Sequence, residues 1–177
     1  MRLRYFVAVM AFMFFFVPHA EAGNAWNDSF NKAKHILEEQ VYKDHRRTFY
    51  CDAIFDEQNN VSQLDGFIAK SHGKRAGKIE WEHIVPAENF GRTFIEWREG
   101  SDECVDNKGK AFKGRKCAEK VSMDYRYMQA DMHNLVPAIG AVNAARSNYN
   151  FTLLPDAISS FGSCQMKIEG KKVEPPV

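Results

Sequence analysis

The alternation of apolar and polar residues predicts one short strand in the middle of the chain. Ile79 and Trp81 alternate with polar neighbours, two more apolar residues follow after a break, and Pro86 comes next. Since proline cannot continue a sheet ladder, we expect a buried strand that ends at Pro86. Glu82 and His83 are adjacent at that end. In a regular strand they would point to opposite faces, so a shared site requires a turn or a bulge there.

A second apolar pattern, further along the chain, has near-helical spacing. Its members are Met132, Leu135, Val136, Ile139 and Val142. Asp131 is a candidate N-cap, and Pro137 fits only the first turn of a helix, so the regular helix is expected to begin near Val136. His133 and Asn134 would then lie at the helix entrance.

The remaining elements are predicted from weaker patterns. An apolar stripe predicts a helix over residues 28–42, and aromatic and apolar content predicts strands over residues 48–55 and 64–68. Four glycines in a polar stretch indicate a long loop or irregular hairpin over residues 90–117. A short helix and a closing strand are expected between residues 151 and 168. Together these elements predict a single α+β domain, since no linker, repeat or low-complexity tract divides the chain.

The first 22 residues have the pattern of a secretory signal peptide. Arg2 and Arg4 precede an apolar run over residues 6–17, and small residues around Glu21 offer a cleavage site. The run is shorter than the roughly 20 residues that a membrane span requires. We therefore expect residues 1–22 to be removed and residues 23–177 to be periplasmic or secreted, without stable membrane association.

Cysteine content fits an oxidising compartment. The four cysteines are Cys51, Cys104, Cys117 and Cys164. None forms a Cys-x-x-Cys pair, which favours two disulfides over a metal cage. Three pairings are open from the residues alone, and proximity favours Cys104 with Cys117.

Net charge gives no strong signal for a nucleic-acid partner. The chain has 24 basic and 23 acidic residues, and two basic and one acidic residue lie in the first 22 positions, which leaves 22 of each. A nucleic-acid binder of this composition must concentrate its positive charge locally. Basic residues do cluster over residues 70–78 and 108–120 and could follow a phosphate backbone, although most such clusters are solvated surface.

Two side chains offer oxygen ligands of the kind that hard cations prefer. Glu82 has a carboxylate and Asn134 an amide oxygen, a pair that suits Mg²⁺ or Ca²⁺ better than Zn²⁺. His83 adds the side chain whose ordinary pKa lies nearest physiological pH. Taken alone, a Glu-His pair is more often a surface ion pair, and an asparagine before a helix is more often a cap. Only together do these residues support a functional site.

Five blocks in one order resemble the endonuclease I family of bacterial periplasmic and secreted nucleases. They are EWEHIVPA (80–87), GRKC (114–117), MQADMHNLVPAIG (128–140), VN (142–143) and RSN (146–148). The similarity also takes in residues 48–51, 164–168 and 173–176, so it covers most of the chain after residue 47.

The resemblance implies a ββα-metal core, or His-Me finger, within the α+β domain. It implies an endonuclease that cuts DNA, and RNA as well, with little sequence specificity and leaves 5′-phosphate ends. On this resemblance His83 is the general base, and Glu82 and Asn134 hold one Mg²⁺, with Ca²⁺ or Mn²⁺ as substitutes. A monomer is expected.

Other implied roles concern the substrate and the disulfides. Arg115 matches a phosphate-contacting arginine of the family, a task that suits a bidentate guanidinium. Further substrate contacts are expected from Arg146, Lys116 and Asn143. Cys51 and Cys164 both match family positions, and this resemblance favours a disulfide between them.

Departures from the family leave rival hypotheses. The family usually continues past the Glu-Pro-Pro motif, so this chain is expected to be shortened at its C-terminus, and residues 102–113 resemble an insertion. One rival is a catalytically impaired, truncated relative that binds nucleic acid without cutting it. A zinc hydrolase that uses His83, His133 and Glu82 is a weaker rival, because no His-Glu-x-x-His or similar spacing is present.

Overall fold

A computed structural model describes residues 23–176, and the predicted signal peptide lies outside the described residues. Helices and strands are mixed in one small domain, which confirms the expected α+β class.

The helices are α1 (Phe30–Ile36), α2 (Ala87–Gly91), α3 (Ile95–Arg98), α4 (Arg115–Val121), α5 (Met123–Gln129) and α6 (Gly140–Arg146). A π-helical turn (Leu37–Val41) continues α1, and 3₁₀ turns cover Gly73–Arg75 and Met132–Asn134. The strands are β1 (Ile79–His83), β2 (Leu135–Ile139), β3 (Asn150–Phe151), β4 (Lys167–Glu169) and β5 (Lys172–Glu174). Within residues 23–176, none of the helices is long and apolar enough to cross a bilayer.

The antiparallel pair of β1 and β2 lies beneath α6. Its register sets Ile79 opposite Ile139 and His83 opposite Leu135. Since β2 leads directly into α6, the helix turns back over the pair and contacts both strands. The helix therefore runs in the direction of β1, and its successive turns face successive residues of that strand. Strands β3, β4 and β5 form a separate three-stranded sheet in the order β3-β5-β4.

The helix predicted to begin near Val136 is wrong, because this segment is β2 and the helix begins at Gly140. All five residues of β2 are buried, and a continuous apolar run of this length does not distinguish a strand from a helix. Pro137 is tolerated because its carbonyl accepts from the Phe49 N–H at 2.8 Å, on the edge that faces away from β1. Its missing N–H therefore removes no bond from the β1–β2 ladder. Asp131 does act as a cap, accepting from the His133 N–H at the preceding 3₁₀ turn.

Two further predicted strands are not formed. Residues 48–55 make a turn flanked by isolated bridges, and residues 64–68 contribute a single bridge at Phe67. Tyr50 and Phe55 are buried, so the aromatic content of the first segment reflects packing in the core and not a place in a sheet.

The other predicted elements have mixed outcomes. The helix over residues 28–42 is confirmed by α1 and its π-helical turn, and Ser29 caps α1 by accepting from the Lys32 N–H at 3.2 Å. The predicted loop over residues 90–117 contains α3 and is irregular only over its later part. The short helix expected between residues 151 and 168 is absent from that described segment, where the chain forms turns and bridges before β4.

Two disulfides tie down the irregular segments. Cys51 is bonded to Cys164, and Cys104 is bonded to Cys117. These are the pairings that the sequence favours. The first closes a separation of 113 residues, and cross-links that close long loops restrict the unfolded chain most. It joins the turn at residues 48–55 to the segment before β4, within a core cluster that packs against β2 and α6.

Candidate active site

A cleft of about 300 Å³ opens where β1 ends. Its polar lining residues include Glu82, His83, Glu88, Arg115, Asn143 and Asn148. β1 ends at His83, and the chain bends over the next two residues before Pro86. Both Glu82 and His83 line the cleft although the regular pairing of β1 with β2 runs through them. The turn or bulge expected at these two residues is therefore wrong, because the chain bends only after His83.

The imidazole of His83 is held in one tautomer. Its Nε2 lies 2.9 Å from the carbonyl oxygen of Gln129, and because a carbonyl only accepts, Nε2 must carry the hydrogen. The Nδ1 atom therefore keeps its lone pair. Phe30 stacks on the ring at 5.2 Å between centroids, and Phe90 packs at 5.8 Å. Burial lowers the pKa of His83 to about 4, so the ring is a neutral base at pH 7.

The carboxylate of Glu82 is buried, and only one of its two oxygens accepts hydrogen bonds from the protein. Its Oε1 accepts from Arg146 Nη1 at 2.7 Å and from the Tyr50 hydroxyl at 3.3 Å. Its Oε2 has no hydrogen-bond partner among residues 23–176. Burial raises the pKa of Glu82 to about 7, and the Arg146 cation opposes this rise only in part. The side chain thus has one oxygen fixed to the protein and one left for a ligand.

Arg146 lines the cleft and is bonded within the protein. Its side chain is only 1 % exposed, and Nη1 donates to Glu82 and to the His83 carbonyl, both at 2.7 Å. Nη2 donates to the Ile84 carbonyl at 2.5 Å, and the guanidinium lies 4.9 Å from the ring of Phe151. These bonds hold Glu82, His83 and Ile84 in place, which is a scaffolding role, and the predicted substrate contact of Arg146 stays a prediction.

The two asparagines of interest have opposite surroundings. Asn134, the predicted metal ligand, uses both ends of its amide on Val85, with Oδ1 accepting at 2.7 Å and Nδ2 donating at 3.0 Å. It is not among the residues that line the cleft. Asn143 lines the cleft and donates from Nδ2 to Glu80 at 2.9 Å. Its Oδ1 makes no hydrogen bond within the described part of the chain.

The sequence offered a local clue to this difference that the helix prediction obscured. A helix that begins at Gly140 has Asn143 in its first turn, and there the side chain reaches Glu80 on β1. The near-helical spacing of the apolar run before Gly140 predicts a helix that begins earlier, with Asn134 at its entrance as the expected ligand. The cleft therefore has Glu82 and Asn143 among its lining residues, whereas Asn134, the predicted partner of Glu82, lies outside that lining.

The basic wall of the cleft comes from α4. Arg115 is the first residue of that helix, is exposed, and lines the cleft with its guanidinium 5.7 Å from the ring of Phe30. Lys116 is also exposed but does not line the cleft. The disulfide at Cys117 anchors this end of α4 to the preceding loop. The cleft is thus lined by an exposed cation together with buried acid and base groups.

The oxygen atoms left open in the cleft fit a hard divalent cation. Glu82 Oε2 and Asn143 Oδ1 are a carboxylate and an amide oxygen, the ligand types of Mg²⁺, Ca²⁺ and Mn²⁺ sites. A zinc site of three His, Cys, Asp or Glu residues does not occur over residues 23–176. His133, which the zinc hypothesis requires, has a 97 % exposed side chain paired with Asp131 and lies outside the cleft lining.

Comparison with known proteins gives one consistent result. A family model described as Endonuclease I matches residues 23–176. An extracellular deoxyribonuclease of Aeromonas hydrophila is 37% identical over 154 residues, which cover 84% of this chain and 61% of the relative. A periplasmic deoxyribonuclease of the same organism is 36% identical over 143 residues, or 77% and 54% of the two chains. Endonuclease-1 of Buchnera aphidicola subsp. Acyrthosiphon pisum is 34% identical over 156 residues, or 84% and 56%. The chain thus spans between 54% and 61% of the length of these relatives.

Proposed function

Because this chain belongs to the endonuclease I family, we propose that it is a secreted or periplasmic endonuclease that hydrolyses the phosphodiester bonds of DNA with a divalent cation. We extend the proposal to RNA and to cleavage with little sequence specificity. The observation that carries it is the cleft itself, because one cleft is lined by His83, whose Nδ1 keeps its lone pair, and by Glu82 and Asn143, each of which has an open oxygen.

The cation would be held by Glu82 and Asn143, with Mg²⁺ as the proposed ion and Ca²⁺ or Mn²⁺ as substitutes. When bound, it would neutralise negative charge on the scissile phosphate and on the leaving 3′ oxygen. In this proposal β1, β2 and α6 are the two strands and the helix of a ββα-metal core. Arg146 supports the ligand by keeping a cation against the buried carboxylate of Glu82 while leaving Oε2 open.

The proposed base is His83. Its Nδ1 would take a proton from the attacking water, and the Gln129 carbonyl would steady the imidazolium through Nε2–H. The pKa of about 4 keeps the ring unprotonated before the reaction. Attack of water on phosphorus with departure of the 3′ oxygen leaves a 5′ phosphate, and this is the product we propose.

Arg115 would bind the phosphate from the N-terminal end of α4. Its guanidinium is exposed and borders the cleft, and two parallel N–H groups match two phosphate oxygens. Lys116, next to it and outside the cleft lining, would act on the nucleic-acid backbone only through longer-range charge.

The proposal is tested by digestion of a supercoiled plasmid and of a structured RNA with the purified, oxidised protein. Cleavage is expected with Mg²⁺ and not with EDTA. His83→Ala should lower the cleavage rate by about 10²–10⁴-fold, the range for loss of a general base, whereas the exposed His133→Ala serves as the matched control. Retarded migration of the nucleic acid without any cutting would favour the binding relative over the enzyme, and 3′-phosphate ends would refute the proposed attack.

A further inference from the structure

A carboxylate lies directly behind the Asn143 amide. Glu80 Oε2 is 2.9 Å from Asn143 Nδ2. An ionised carboxylate accepts hydrogen bonds and has none to donate, so the nitrogen of the amide must face Glu80 and the oxygen must face away from it. This contact determines which end of the amide is presented to the cleft.

Glu80 is itself held from the far side by Arg75. Arg75 Nε donates to Glu80 Oε1 at 2.7 Å, and Arg75 Nη2 donates to Oε2, so the guanidinium grips both oxygens. Such a bidentate contact fixes the plane of the carboxylate. The carboxylate is therefore positioned before it meets the amide.

The backbone is built for this close approach. A Cβ on Gly140 would lie 2.6 Å from the Arg75 carbonyl oxygen and 2.9 Å from Glu80 Oε1. Since no side chain fits there, only glycine lets the start of α6 meet the 3₁₀ turn Gly73–Arg75 and the Glu80 carboxylate together.

The strand and the helix make two matched contacts. Glu80 and Glu82 are two residues apart on β1 and thus share a face, while Asn143 and Arg146 are three apart on α6 and also share a face. Asn143 meets Glu80, and Arg146 meets Glu82. One contact holds the carboxylate of the cation site and the other holds its amide.

We propose that Glu80, clamped by Arg75, is a positioning residue that orients the Asn143 amide so that its oxygen faces the cation. The inference rests on the proposed function, because it concerns the same cation site. Without the Glu80 carboxylate the amide can rotate and present its NH₂ group, which cannot bind a cation. Glu80 touches neither the cation nor the substrate in this arrangement.

The test measures Mn²⁺ affinity without nucleic acid, by titration calorimetry or by the loss of the free Mn²⁺ EPR signal. Glu80 accepts three hydrogen bonds, two from Arg75 and one from Asn143. Glu80→Gln leaves one uncharged oxygen, which can keep at most two of the three, and should weaken Mn²⁺ binding by about 10–100-fold, as loss of an outer-shell partner does. Glu38→Gln is the matched control, because Glu38 accepts from Trp81 and Asn59 and not from Asn143. It should bind Mn²⁺ as the wild type does.

A swapped pair separates orientation from general damage. In the double variant Glu80→Gln with Asn143→Asp, the new amide at position 80 donates to one carboxylate oxygen at position 143 and leaves the other for the cation. Most of the lost Mn²⁺ affinity should return, and thermal unfolding in EDTA should confirm that each variant folds. If Glu80→Gln proves unfolded, Arg75→Gln should show a smaller loss in the same direction.

The outcomes distinguish the inference from the proposed function. If the wild type binds Mn²⁺ and cleaves DNA but Glu80→Gln keeps wild-type affinity, the positioning role is refuted and the nuclease proposal stands. A loss of affinity that the swapped pair does not restore also refutes it. If the wild type binds no divalent cation and cuts nothing, both fail together.

Discussion

The segments on either side of β2 present the same amide side chain to different effect. Before the strand, Asn134 spends its oxygen and its nitrogen on the backbone of Val85 and so fixes the bend after β1. After the strand, Asn143 spends only its nitrogen, on Glu80, and its oxygen borders the cleft. Residue type alone therefore does not identify a ligand. What matters is which polar atoms are already bonded inside the protein.

Arg146, on the far side of β2, supports the site from within the core, and its removal should have the largest effect on stability. Arg146→Met keeps an apolar stem but leaves the Glu82 carboxylate buried without its cation. Breaking a buried ion pair in this way costs about 3–5 kcal/mol of unfolding free energy. Urea unfolding at pH 8 would measure it, and a loss below about 1 kcal/mol, within the range of exposed pairs, would contradict the scaffolding role.

The loss in this variant should depend on pH. Burial already raises the pKa of Glu82 from 4.5 to about 7, and removal of Arg146 raises it further. The folded variant then binds a proton that the unfolded chain releases above its own pKa, so its stability falls as pH rises from that value through the raised pKa. We expect the gap between wild type and Arg146→Met to be wider at pH 8 than at pH 5. A gap that narrows at pH 8 would mean that Glu82 is not the group involved.

Asn143→Ala tests the open amide directly. Loss of a ligand should exceed the effect of losing its outer partner, so we expect Mn²⁺ affinity and the cleavage rate to fall by about 100-fold or more, or about 2.7 kcal/mol. Unfolding in EDTA should change little, since the side chain makes one hydrogen bond at the edge of the cleft. Full activity in Asn143→Ala would show that Asn143 is not a ligand of the cation.

Asn134→Ala is the counterpart on the other side of β2. Two hydrogen bonds to Val85 are lost, and at about 1 kcal/mol each we expect the unfolding free energy to fall by about 2 kcal/mol. Mn²⁺ affinity, measured well below the unfolding temperature, should stay close to that of the wild type. A collapse of Mn²⁺ affinity in the folded variant would show that the comparison between the two asparagines is wrong.

His133→Ala marks the lower limit of the series. The side chain is 97 % exposed, and its contact with Asp131 lies at the surface. Substitutions at such positions stay within about 0.5 kcal/mol, and chemical unfolding should find no larger change. A large loss of cleavage would reopen the zinc hypothesis, which is the one hypothesis that gives His133 a task.

Local signals in the sequence were enough for part of the site. The strand that ends before Pro86 follows from a two-residue period and a residue that cannot donate, and both are properties of a few neighbouring positions. Glu82 and His83 could be placed at its end for the same reason. β2 could not be recognised, because Pro137 is acceptable there only through a bond to Phe49, which lies far away in the chain.

The sequence by itself determined the α+β class, the resemblance to a family, and the acid, the imidazole and the arginine that any chemistry here would use. Tertiary structure alone decided which of their atoms remain open. Asn134 is hydrogen-bonded to Val85, 49 positions away, and Asn143 to Glu80, 63 positions away. Arg146 is hydrogen-bonded to the buried Glu82, 64 positions away. The physical reason is that each polar atom can make only a few hydrogen bonds, and the partners that fill them are brought together by folding and not by proximity in the chain.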